Sequence, residues 1–158
     1  MRERVVYLDS SSLVKRYIGE VGTDEVDEVY EKSEAGELKV AFSIWNLGEA
    51  IGVFDRYLSR NLISHDEFVA ARLDLVSETL KLSRLESLVV LPVTSMLLVE
   101  SWSLVAKHHI YEADALQIAS SKEVSCSLFL GANKRLVDAA LAEGLKAVNV
   151  EAERSLEF

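Results

Sequence analysis

Val5-Val6-Tyr7-Leu8-Asp9-Ser10-Ser11-Ser12 is the stretch on which the fold turns. Four apolar residues, three of them β-branched or aromatic, run unbroken into an aspartate, and a run of serines follows. A short apolar run of this kind suits a strand buried on both faces, as in a parallel sheet. The serines open a helical stretch expected to reach about Tyr17, and Gly19 and Gly22 break it.

Working outward, strands and helices alternate. Thr23 is an expected N-cap for a helix carrying Val26, Val29 and Tyr30, ended by Gly36. Residues 38–42 read as a second strand. A helix over 44–58 follows, with Ile44, Leu47, Ile51, Phe54 and Leu58 as its apolar stripe. Ser64-His65-Asp66-Glu67 matches a capping box and opens a helix to about Arg84 bearing Phe68, Val69, Leu73, Val76 and Leu80. Residues 88–91 form a third strand closed by Pro92, and Thr94 caps a helix with Leu98, Val99, Trp102 and Val105. A short helix over 112–121, a strand over 127–130, a helix over 133–141 and a strand over 147–150 complete the order. No tight hairpin signal occurs. The order predicts an α/β protein, a three-layer α/β/α sandwich whose parallel sheet has about five strands. With no internal repeat and no Pro- or Gly-rich linker, residues 1–158 are expected to form a single domain.

Composition sets limits. Hydrophobic residues make up 49% of the 158 and charged ones 27%, which suits a globular protein. No apolar run approaches the roughly 20 residues needed to span a bilayer. Met1-Arg2-Glu3-Arg4 leads into too short an apolar stretch for a signal peptide. The single cysteine, Cys126, is expected to be a buried structural thiol in a reducing cytoplasm. A net charge of −9 argues against nonspecific binding of nucleic acid, unless the acids lie away from the site or are neutralised by metal.

Three acids attract attention. In open parallel sheets, sites gather beyond the carboxyl ends of strands, where Asp9 stands; an N-cap for the following helix is its other reading. Glu49 lies nearly opposite the main apolar stripe of its helix, yet its own face carries Trp45, Gly52 and Val53. It is either a capping or solvent-facing acid, or a buried one that needs a cation. Asp114, among small and apolar neighbours in Ala113-Asp114-Ala115-Leu116, is either a first-turn acid favoured by the helix dipole or a site carboxylate. Carboxylates that converge raise one another's pKa unless a cation holds them ionised. Hard divalent ions prefer such oxygens and can activate water against a phosphodiester.

Three segments carry a resemblance to the PIN-domain family, of the kind found as toxins of VapBC toxin–antitoxin pairs. They are Tyr7-Leu8-Asp9-Ser10-Ser11-Ser12-Leu13-Val14-Lys15-Arg16-Tyr17, Ser43-Ile44-Trp45-Asn46-Leu47-Gly48-Glu49-Ala50 and Tyr111-Glu112-Ala113-Asp114-Ala115-Leu116-Gln117-Ile118-Ala119. The resemblance implies an endoribonuclease that cleaves single-stranded RNA with Mg²⁺ or Mn²⁺. Asp9 and Asp114 would be the main metal ligands, Glu49 would complete the cluster, and Ser11 would hydrogen-bond beside it. It also implies a homodimer and a small antitoxin partner. One departure stands out. Many relatives carry Thr-x-Asp where this chain has Gly131-Ala132-Asn133, so Asn133 is either a neutral oxygen ligand or a helix N-cap.

Lys15, Arg16, Lys134 and Arg135 follow Asp9 and Asn133 and are expected either to contact RNA phosphate or to be ordinary solvated charge. His108 and His109 read as surface histidines, and Trp45 and Trp102 as core or dimer-interface residues rather than base-stacking ones. An aspartate-nucleophile phosphatase would want Asp-x-Asp, but the third position is Ser11. A receiver domain would want paired acids beside the first strand. The remaining alternative is a degenerate PIN-like domain that binds RNA or protein without catalysis, which Gly131 and Asn133 favour.

Overall fold

The computed structural model describes residues 3–158, so Met1 and Arg2 of the segment judged too short for a signal peptide lie outside the described residues. One sheet of five parallel strands runs β3-β2-β1-β4-β5, made of β1 (Val5–Leu8), β2 (Lys39–Ser43), β3 (Leu88–Leu91), β4 (Leu128–Gly131) and β5 (Ala147–Asn149). Side chains alternate between its faces with the two-residue strand period. Val6, Leu8, Val40, Phe42, Leu128 and Leu130 face one core; Val5, Tyr7, Ala41 and Phe129 face the other. The first core is covered by α2 (Thr23–Glu34), α3 (Ile44–Ser59) and α4 (His65–Arg84). The second lies under α5 (Ser95–His108), α6 (Glu112–Glu123) and α7 (Lys134–Ala142). This is the expected α/β/α sandwich. The short α1 (Ser10–Val14) leaves the end of β1.

The capping box forms as the sequence spells it: Ser64 Oγ accepts from the Glu67 amide, and the Glu67 carboxylate accepts from Ser64 N–H. Other local expectations change. The cap of α2 is Gly22 at φ +93°, while Thr23 Oγ1 donates to the Lys15 carbonyl. A Cβ on Gly22 would stand 2.9 Å from Val150 Cγ2, so the tight approach as well as the backbone angle requires glycine. α1 ends at Val14, short of Tyr17.

Two apolar stripes are split: Phe68 on α4 and Leu98 and Val105 on α5 pack against the cores, and the rest of each stripe faces outward. On α4 the buried residues are Ala71, Leu75 and Leu82, whereas Val69, Leu73, Val76 and Leu80 are exposed. On α5 they are Leu97, Ser101 and Leu104, leaving Met96, Val99 and Trp102 exposed. On α3, Phe54 is buried with Asn46 and Ala50, while Ile44 and Trp45 are half exposed. Neither tryptophan is a core residue. His108 is no surface histidine either: its Nε2 lies 2.6 Å from Glu143 Oε1 in a nearly closed setting. Cys126 is half-buried rather than buried.

β1 is flanked by β2 on one side and β4 on the other, so the sheet reverses its winding between β1 and β4. The crevice beyond the carboxyl ends of these two strands is where an open α/β sheet takes its ligands. Asp9 and Asn133 stand there.

Candidate metal and nucleic-acid site

Asp9 is 2% exposed and serves two offices. It caps α1, its Oδ1 accepting from the Ser12 amide at 2.8 Å, and it also receives the Ser11 hydroxyl at 2.8 Å on Oδ1 and 2.7 Å on Oδ2. The two readings of this residue are therefore compatible. The backbone around it is tied to β4: Asp9 N–H and Ser12 Oγ both donate to the Leu130 carbonyl. Ser11 Oγ in turn accepts from the Ala132 amide at 2.9 Å.

The sequence's three acids line one cavity of about 260 Å³, together with Ser10, Ser11, Arg56, Gln117 and Asn133. Glu49 reaches it from α3 and is held by the Ser10 hydroxyl. Asp114 reaches it from the first turn of α6. Burial pushes the Asp9 carboxyl up to about 6; hydrogen bonds from Ser12 and Ser11 oppose this, and the charge of Asp114 adds to it. Asp114 is raised too, by burial first and then by Glu49, with Arg135 acting against them. The acids thus feel one another without a cation among them strong enough to restore their ordinary ionisation.

Among the described residues, no three His, Cys, Asp or Glu side chains are gathered tightly enough to ligate one ion directly. The donor set still fits a hard divalent ion that keeps much of its water shell, since such an ion needs only one or two direct carboxylates.

Asn133 caps α7, its Oδ1 accepting from the Arg135 and Leu136 amides at 3.0 and 3.4 Å. Gly131 is constrained by the site itself. A Cβ there would meet Asp9 Oδ2 at 3.1 Å and Val137 Cγ2 at 3.2 Å, so the carboxylate occupies the space a side chain would take.

The expected phosphate contacts are redistributed. Lys15 is buried and paired with Glu151 at 2.7 Å and Glu20 at 3.2 Å. Arg16 is bound by Glu78 and Asp27 and lies over the Tyr30 ring. Both charges are met by acids of the chain itself. Lys134 pairs with Asp138 on the surface. Arg135 donates to the His109 carbonyl and faces Asp114 electrostatically.

Sequence reasoning missed four residues. Ser10 orients Glu49. Gln117, one helical turn past Asp114, accepts from the Tyr7 hydroxyl at 2.8 Å and leaves its buried Nε2 without a partner. Asn46 is fully buried and ties α3 to β1 by donating to the Leu8 carbonyl at 2.8 Å. Arg56 lies on the Glu49 face of α3, at the i+7 position, a spacing visible in the sequence.

The acids thus line a cavity at the winding reversal of a parallel sheet, where open α/β sheets take their ligands. The PIN-domain family profile matches residues 6–141, and the chain belongs to the PIN-domain family, whose members are typically nucleases. No curated protein sequence matches it. Among solved structures it is similar to Mycobacterium tuberculosis VapC20, a sarcin–ricin-loop-cleaving toxin, with 18% identity, TM-score 0.64, and 91% of this chain and 98% of that one covered. It is also similar to PAE2754 of Pyrobaculum aerophilum (16% identity, TM-score 0.64, 96% and 94% covered). A third likeness is to FitAcB of Neisseria gonorrhoeae (16% identity, TM-score 0.62, 92% and 97% covered). At these identities the likeness is one of fold.

Proposed function

We propose that this chain is a metal-dependent endoribonuclease that cleaves single-stranded RNA, acting as the toxin of a VapBC-type toxin–antitoxin pair. The observation that carries the reading is the shared cavity of Asp9, Glu49 and Asp114, in which the buried Asp9 carboxyl has no ion-pair partner among the described residues. Family membership supports a nuclease, and the likeness to VapC20 favours RNA as its substrate.

Asp9 and Asp114 would hold Mg²⁺ or Mn²⁺, with Glu49 completing the cluster through water. When bound, such an ion makes water a nucleophile at neutral pH and stabilises the leaving oxygen of a phosphodiester. The chain's own residues prepare this. Ser11 and the Ser12 amide fix the Asp9 carboxylate in one orientation, and Ser10 fixes Glu49. Asn133 supplies no charge where many relatives have an acid, which points to a single ion.

Cleavage of labelled single-stranded RNA with Mg²⁺ or Mn²⁺ tests the proposal, comparing the native chain with Asp9→Ala and Asp114→Ala. Loss of cutting in both variants is expected. Equal cutting by all three means a contaminant or a different site.

The degenerate binding module is the second reading, favoured by Asn133, by Gly131 and by the absence of a tight three-acid ligand set among the described residues. Absence of both RNA cutting and cation binding in the native chain would support it.

Two surfaces fit the expected protein partners. The outward face of α5, with Met96, Val99 and Trp102, suits a second copy of the chain. The stripe Val69, Leu73, Val76 on α4, grooved against Ile51, suits an apolar helix of an antitoxin. Trp102→Glu should convert a dimer to a monomer in light scattering, and an unchanged mass would remove the α5 assignment. No helix among the described residues is long and apolar enough to cross a membrane. The half-buried Cys126, its thiol pushed up to about 11 by burial, suits the proposed reducing cytoplasm.

A further inference from the structure

A second cavity, of about 320 Å³, adjoins the acidic one. The two share Ser11, Val53, Arg56 and Asn133, so they form one bent cleft with Arg56 at the bend. The linings beyond that bend differ in kind. One arm holds the three acids. The other adds Val14 and Tyr57 as apolar surface, with Glu20 and Glu151 as its acids. Lys15 lies in that arm as well, but both of those glutamates pair with it. The second arm therefore offers no spare positive charge and would repel a phosphate.

Arg56 differs from the other cations near Asp9. It is exposed, and among the described residues its guanidinium has no ion-pair partner. A Cβ on Gly52 would meet Arg56 Nη1 at 3.9 Å, so the side chain folds back along α3 over the glycine, toward Glu49. That places a fork of unused donors where the two arms meet, and such a fork matches the two free oxygens of a phosphodiester.

We infer that Arg56 binds a backbone phosphate of the RNA next to the one at the acidic cavity, and that the nucleoside between them sits in the second cavity. The inference rests on the nuclease reading for its substrate. Its chemistry is separate: a neutral sugar and base enter the arm that excludes phosphate, and the charge-bearing link stays at the bend. Tyr57 supplies an aromatic side chain to the lining of that arm.

The test uses single-stranded RNA titrated against the full chain in chelator, where the proposed metal-dependent cutting cannot proceed, at several salt concentrations. Cutting of the same RNA with Mg²⁺ or Mn²⁺ is followed in parallel. Arg56→Gln is expected to weaken binding roughly tenfold and to lower the slope of log affinity against log salt by about one. Arg56→Lys should restore the slope but not the full affinity, because the charge returns without the fork. Equal affinity and equal slope for Arg56→Gln and the native chain overturn the inference while leaving the nuclease reading intact. Binding that depends on Arg56 in a chain that cuts nothing sustains the inference and removes the nuclease reading. A native chain that neither binds nor cuts overturns both.

Discussion

Asp9 and Glu143 are both nearly withdrawn from solvent, at 2% and 9% exposed, and they are treated in opposite ways. Glu143, just past the end of α7, receives Lys107, Lys122 and His108, and these hold its carboxyl down at about 2. Asp9, at the carboxyl end of β1, receives hydroxyls and an amide but no cation, and burial pushes it up to about 6. The first carboxylate is neutralised by the chain itself and locks α5, α6 and α7 together. The second is left dependent on charge from outside. Where a buried acid makes no ion pair within the described fold, that acid is the place to look for a ligand.

The largest expected effect comes from removing the unneutralised acid. Asp9→Ala should reduce RNA cleavage on the order of 10³-fold, since a lost metal ligand forfeits several kcal/mol of transition-state stabilisation. Retained turnover would place the chemistry elsewhere.

Stability should move the other way. With its folded pKa near 6 against an ordinary 3.8, Asp9 binds more protons folded than unfolded between those values. Folding stability therefore falls as pH rises from about 4 to about 6, and the penalty persists above that. In chelator at pH 7.5, Asp9→Asn should be more stable than the native chain by up to about 3 kcal/mol, shrinking toward zero near pH 4. Parallel melting curves at both pH values would break the contrast with Glu143.

Glu143 has the reverse sign. Its depressed pKa gives stability that is complete above the ordinary 4.5 and is lost as pH falls toward 2. Glu143→Gln should cost about 1–2 kcal/mol at pH 7, less in high salt, and leave cleavage unchanged. Melting temperature against pH and salt checks this, and a gain in stability would refute it.

The smallest change sharpens the comparison. Asn133→Asp keeps a good N-cap for α7 and adds a negative charge beside the cavity. A severalfold rise in Mn²⁺ affinity by calorimetry is expected, and a fall would contradict the assignment.

Much of the fold was legible because the strands are short apolar runs with clear breaks, and because Ser64 and Glu67 spell a capping box. The inward faces of α4 and α5 were not. Each helix carries apolar residues on two sides, and the chain buries Ala71, Leu75 and Leu82 on α4 and Leu97, Ser101 and Leu104 on α5, leaving others outside. Periodicity detects an apolar stripe but does not say what covers it. Asp9, Glu49 and Asp114 were found as acids in improbable surroundings, and all three line the one cavity. The ion pairs of Lys15 with Glu151 and of Arg16 with Glu78 were not legible, because those partners lie far away in sequence. Arg56 was overlooked although its spacing from Glu49 was plain.

The cap on α1 has one more consequence. The same carboxylate that would meet an ion already grips the Ser12 amide, so that proton sits one bond-length's reach from the binding event. Its resonance would shift as an ion drew electron density from Asp9, giving a spectroscopic probe written into the first helix and needing no label beyond ¹⁵N. Because Leu130 pins the backbone beneath it, the shift would report charge and not movement.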